Sequence, residues 1–174
     1  MAYVRRHPVP QQALLQNLAR AGAYVDCYAA DIMRAVTHAE FVEAFYTTWL
    51  FRLERWILAR FCAKPSSDAD AALLADARAD AFAAWTVEAR APDQVLLCDF
   101  TGRTRSWLMT VPTLAGDVAG TQLLFGSAVV PARGTDGDRA GLGLIFAALL
   151  GFHKLYSRAL LAAARARLQR RRSR

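Results

Sequence analysis

The side chains with most to offer chemically fall in two places. Arg103, Arg105 and Trp107 occupy alternate positions of the segment RTRSWLM, and His153 and Tyr156 lie three residues apart near the end of the chain. Alternation places the first three on one face of a strand, and a three-residue step places the other two side by side on a helix. A guanidinium pair beside an indole suits an apolar ligand that carries a carboxylate or phosphate, held by charge-assisted hydrogen bonds. Reaction chemistry would require His153, or an acid, to reach that ligand. The competing reading is structural. Arginines beside a hairpin turn are commonly solvated or paired, here with Asp99 or Glu88, and a helix histidine next to Phe152 is commonly half-buried. No catalytic residue is assigned.

Other motifs fail on their details. Gly141 and Gly143 form G-x-G, but Phe146 takes the third glycine position of a dinucleotide fingerprint. Gly126-Ser127-Ala128 lacks the second glycine of a nucleophile elbow and sits inside a strand pattern. His7, His38 and His153 have no metal-ligand spacing, and Thr135 to Asp138 carries too few acids for a calcium loop. Neither a metal nor a cofactor is expected.

The elements that must hold these residues follow from periodicity. Leu142, Ile145, Phe146, Leu149, Phe152, His153, Tyr156, Leu160 and Ala163 recur at three- and four-residue steps, which predicts a long C-terminal helix of roughly 45 Å. Earlier, Tyr24 to Ala30 reads as a strand. Thr37 and Glu40 form a capping box for a helix that breaks near Thr47 and Thr48, where Phe45, Tyr46, Trp49 and Phe51 concentrate aromatic surface. After a turn at Pro65 to Asp68 comes an alanine-rich surface helix. From Phe82 to Val130 the period drops to two. Trp85 to Arg90 and Gln94 to Phe100 flank a turn at Pro92 and Asp93, and Thr101-Gly102 makes a second hairpin, pairing Cys98 with Arg105 and Leu96 with Trp107. A loop containing Pro112, Gly116 and Gly120 then leads to a last strand, Thr121 to Val130. The expected fold is α+β, with a curved antiparallel β-sheet gripping the long C-terminal α-helix and helices inserted after the first strand. Residues 1–12 read as an N-terminal arm, 13–168 as one domain, and 169–174 as a basic tail.

Composition agrees with one globular domain: 174 residues, 55% hydrophobic and 21% charged. The formal charge of +7 comes mostly from six arginines at and beyond Arg165, so the arginines past Ala164 read as a solvated extension. Peripheral contact of Arg165 to Arg174 with an anionic surface stays open, and nucleic acid is disfavoured. Cys27, Cys62 and Cys98 are odd in number and widely spaced, as in a reduced cytoplasmic protein. The N-terminus lacks a signal-peptide pattern. The longest apolar run, Ala140 to Phe152, is shorter than the ~20 residues of a membrane span, so no transmembrane helix is expected.

The order of elements resembles the helix-grip fold of the START and Bet v 1-like superfamily. The segments AYVDCYAADI, FVEAFYTTWLFRLERWIL and LLGFHKLYSRALLAAARARL resemble, more narrowly, the bacterial family called domain of unknown function 2867, over most of Ala21 to Leu168. The resemblance implies a cavity between sheet and helix and carries over no catalytic residue. It implies a hydrophobic or amphipathic small-molecule ligand, with Leu96, Trp107, Met109, Leu123, Phe125 and Phe146 as apolar walls. The polar end would come from Arg105, His153 and Tyr156, with Arg103 as the second member of the arginine pair. The alternatives are a cyclase- or isomerase-like enzyme using His153 and Tyr156, and an interaction protein docking on anionic membrane or nucleic acid through its arginine tail.

Overall fold

Consecutive antiparallel pairing of the later strands, extended by the first two strands along the edge of the last one, generates the sheet that everything else packs on. The computed structural model describes residues 4–130 and 139–170, with side chains throughout except at Cys62, Ala115 and residues 139–152. Its strands are β1 (Arg5–Arg6), β2 (Tyr24–Ile32), β3 (Ala81–Phe82), β4 (Trp85–Ala91), β5 (Gln94–Asp99), β6 (Thr104–Ala115) and β7 (Val118–Val129). They form one antiparallel sheet in the order β1-β2-β7-β6-β5-β4-β3. The helices are α1 (Gln16–Arg20), α2 (His38–Tyr46), α3 (Trp49–Cys62), α4 (Asp68–Ala75) and α5 (Arg139–Arg170). The fold is therefore α+β, with an open antiparallel sheet and the C-terminal helix packed on it. No described helix is long and apolar enough to cross a membrane.

Local rules account for the helix boundaries. Thr37 Oγ1 accepts from the Glu40 amide and the Glu40 carboxylate accepts from the Thr37 amide, which satisfies two orphan donors at the start of α2. The chain breaks at Thr47 and Thr48 because Thr48 caps α3 through the Phe51 amide. Ser67 and Asp70 repeat the capping box for α4.

The pleat divides the sheet into two buried faces. Toward α2, α4 and α5 point Tyr28, Ile32, Leu97, Leu108, Leu123 and Phe125, which meet Phe41, Phe45, Leu74, Leu160, Leu161 and Leu168. The reverse face carries Cys27, Ala29, Leu96, Trp107, Met109, Leu124 and Ala128. It is covered by Val9, Ala13 and Leu15 from the N-terminal segment, whose Arg5–Arg6 pairs with β2. Gln94 anchors that cover: its Oε1 accepts from the Leu14 amide at 2.8 Å and from Trp107 Nε1 at 3.0 Å.

Three expectations are corrected here. Leu96, Trp107 and Met109 pair across strands as the hairpin register requires, but they face the N-terminal segment and not the closing helix. Both faces of β6 are apolar at its centre, so alternation alone does not say which one meets the helix. The expected loop at Pro112, Gly116 and Gly120 is instead a 12-residue strand on each side of a turn at Gly116, whose φ is +60°. β6 outruns β5 beyond Met109, so Pro112 lies along an edge where its missing N–H breaks no ladder there. Finally, the helix does not become a solvated extension at Ala164: Ala164 and Leu168 are buried, and the Arg165 guanidinium donates to the Asp31 carbonyl at 2.6 Å.

Candidate functional site

A row of inward-facing polar residues crosses the apolar sheet on its helix side. Register sets Ser106 of β6 opposite Ser127 of β7, and Ser127 opposite Asp26 of β2. In strands this apolar, each polar side chain must find a partner when buried. Ser106 Oγ meets the Tyr46 hydroxyl at 3.1 Å. Ser127 Oγ donates to Asp26 Oδ1 at 2.5 Å and lies 2.6 Å from His153 Nε2 on α5. With Asp26 as a carboxylate, the single Ser127 proton points at Asp26, so His153 Nε2 must be the donor to Ser127. The Asp26 Oδ2 atom is 3.9 Å from the same Nε2 and has no hydrogen-bond partner among the described residues.

Above this row, α3, α5 and the sheet enclose a cleft of about 610 Å³. Phe45, Phe51, Phe125 and Leu160 form its floor and inner wall, and Leu53, Ile57 and Leu155 its exposed rim. The Phe45 and Phe125 rings meet at 4.7 Å between centres, tilted by 40°, which carries the aromatic cluster of α2 directly onto the sheet. Besides Ser127 and His153, the cleft is lined by Glu54 of α3 and Tyr156 of α5, whose hydroxyl donates to the Glu54 carboxylate. Burial pushes the Glu54 carboxyl up from its ordinary range, against the opposing pull of the Tyr156 hydrogen bond. Burial, then the Glu54 charge, pushes the Tyr156 phenol up as well. The cleft thus presents two hydrogen-bonded polar pairs on apolar walls, an arrangement suited to orienting a polar group on an otherwise apolar molecule.

The structure brings together only part of the set expected from sequence. Phe125, His153 and Tyr156 meet in the cleft. Trp107 and Met109 lie behind the sheet, fully covered. Arg105 borders the cleft, but its guanidinium is taken up by Glu88 at 2.8 Å and by the Gly102 carbonyl. Arg103 is exposed at the hairpin turn, where Asp99 accepts from its backbone N–H at 2.9 Å. The side chain of Phe146 lies outside the described residues. Sequence reasoning passed over Asp26, Glu54, Ser106 and Ser127. Their only signal in the sequence is that Asp26, Ser106 and Ser127 are polar residues within apolar strand segments and that Glu54 is the single acid between Trp49 and Lys64.

Known proteins add little to this geometry. No family model matches the chain, so the resemblance to domain of unknown function 2867 gains no support there, and no curated protein matches it. Among solved structures, the chain is similar to the crystal structure of CalU16 from Micromonospora echinospora at 15% identity, over 96% of this chain and 92% of that one, with a TM-score of 0.30.

Proposed function

We propose that the cleft between α3, α5 and the sheet binds one hydrophobic or amphipathic small molecule, with its apolar body on Phe45, Phe125 and Leu160 and its polar group against Ser127–His153 and Glu54–Tyr156. The observation that carries this reading is the cleft itself: about 610 Å³, within the roughly 300–1,000 Å³ typical of small-molecule sites. Apolar walls supply affinity and the polar pairs fix orientation. Arg103 and Arg105 are not needed for it, because Arg105 is already paired with Glu88. Native mass spectrometry of freshly purified protein tests for a co-purified molecule. In parallel, Ala159→Trp, which adds bulk at the exposed α5 edge of the cleft and obstructs its mouth, should weaken binding of anilinonaphthalene sulfonate about tenfold or more. Equal binding by the filled variant refutes the reading.

A second reading has one observation in its favour, the chain from His153 through Ser127 to buried Asp26. A histidine held by such a chain is placed to exchange a proton with a bound molecule, as a cyclase- or isomerase-like enzyme requires. Unchanged turnover of an identified ligand by His153→Gln would exclude it.

A further inference from the structure

Helix α3 exposes an apolar face that nothing in the described structure covers. Trp49, Trp56 and Phe61 are 71%, 63% and 74% exposed, and Leu53 and Ile57 lie among them. Three- and four-residue steps put all five on one side of the helix, while Phe51 and Arg55 on the other side are buried. Two indoles and a phenyl ring gathered in this way form an interaction surface, unlike the single apolar residues scattered over most surfaces.

The charges say what kind of partner fits. Glu54 is the only acid from Trp49 to Lys64, and it is hydrogen-bonded by Tyr156 beneath the helix. Arg60 and Lys64 are exposed cations at the C-terminal end of this face and just past it, with the Arg60 guanidinium over the Phe61 ring. A second copy of the chain meeting this face across a two-fold axis would bring the same cations together with no α3 acid to answer them. An anionic lipid surface satisfies both halves: acyl chains take the aromatic and aliphatic side chains, headgroups take the cations, and indole N–H groups remain at the polar boundary. We propose that α3 docks on anionic lipid bilayers, lying in the interface plane through Trp49, Leu53, Trp56, Ile57 and Phe61. This differs from attachment by the terminal arginines, since the element involved is a folded helix at the cleft's mouth. Leu53 and Ile57 also form the cleft rim, so docking would open the cleft toward the acyl chains. That consequence rests on the ligand reading above, whereas the docking does not.

The test uses the full chain with phosphatidylcholine vesicles containing about 30% phosphatidylglycerol. Wild type is expected to co-sediment, less so at high salt, and brominated acyl chains should quench fluorescence in wild type far more than in the Trp49→Ser/Trp56→Ser variant, which keeps only the half-buried Trp85 and the buried Trp107. The variant Trp49→Ser/Trp56→Ser/Phe61→Ser changes only exposed side chains, so its circular dichroism should match wild type while vesicle partitioning falls roughly tenfold or more. Four outcomes overturn the proposal. Wild type stays in the supernatant at every lipid concentration, or the triple variant binds as wild type does. A dimer in solution that the triple variant converts to monomer makes the occupant a second copy. A chain ending at Leu168 that loses binding with α3 intact assigns the docking to the arginines.

Discussion

Replacing Ser127 by alanine removes one hydroxyl from the base of the cleft, and its surroundings set the cost. Asp26 is 3% exposed, and its Oδ1 atom accepts from Ser127 at 2.5 Å. Its Oδ2 atom has no hydrogen-bond partner among the described residues. In Ser127→Ala the carboxylate stays buried and loses that donor. The loss is that of a hydrogen bond to a charged acceptor, about 1.5–3 kcal/mol, and not the ~1 kcal/mol of a neutral pair. For a chain of this size each kcal/mol lowers Tm by about 2–4 °C, so the midpoint should fall by about 3–12 °C. Asp26→Ala alone leaves the Ser127 hydroxyl without its acceptor. The double variant removes donor and acceptor together and should cost at least about 1 kcal/mol less than the sum of the two single changes. Urea unfolding followed by tryptophan fluorescence gives all three values. A Ser127→Ala protein within about 0.5 kcal/mol of wild type, or strictly additive effects, would refute the buried Asp26–Ser127 network.

Other consequences are open to direct measurement. A methyl group at Gly126 would sit 2.7 Å from Leu15 Cδ2, 2.9 Å from the Asp26 carbonyl and 2.9 Å from Trp107 Cε3. Gly126→Ala should therefore cost about 1–3 kcal/mol in overpacking, partly offset by about 0.4–1 kcal/mol from a less flexible unfolded chain; urea unfolding showing a stabilised variant would contradict the packing of Leu15 behind the sheet. His38 lies 3.3 Å by its Nε2 from the Leu108 carbonyl, and burial above all pushes its pKa below the ordinary 6.5. The folded state then binds fewer protons than the unfolded chain, so this contribution is present above pH 6.5 and lost as pH falls through the depressed folded value. His38→Gln should flatten that part of the stability–pH curve, and an unaltered slope counts against it. For Glu54 the sign is reversed. Its raised carboxyl favours folding most below the ordinary 4.5, and the contribution is lost as pH rises through the folded value. Glu54→Gln should gain on wild type between acid and neutral pH, and parallel denaturation curves across that range would rule this out.

Much of the fold was legible because it follows from short-range rules. The strand near Tyr24, the Thr37 capping box, the break at Thr47 and Thr48 and the long closing helix each depend on residues a few positions apart. The pairing of Leu96 with Trp107 and Cys98 with Arg105 follows from a single tight turn and was equally readable. What the sequence determined by itself stops there: elements, caps, and the partner of each residue across one hairpin. Tertiary structure decided which side of the sheet meets α5. The central strands are apolar on both faces, and the cover for the second face comes from a proline-bearing segment that has no strong periodicity of its own. It also decided the site. Asp26, Ser106 and Ser127 lie as many as 101 residues apart and share a row only because β2, β7 and β6 are neighbours in register. Glu54 and Tyr156 meet only because α3 and α5 close over that row. Local propensity acts over a few residues, whereas face and site depend on which distant surfaces bury one another, a choice made by the free energy of the whole chain.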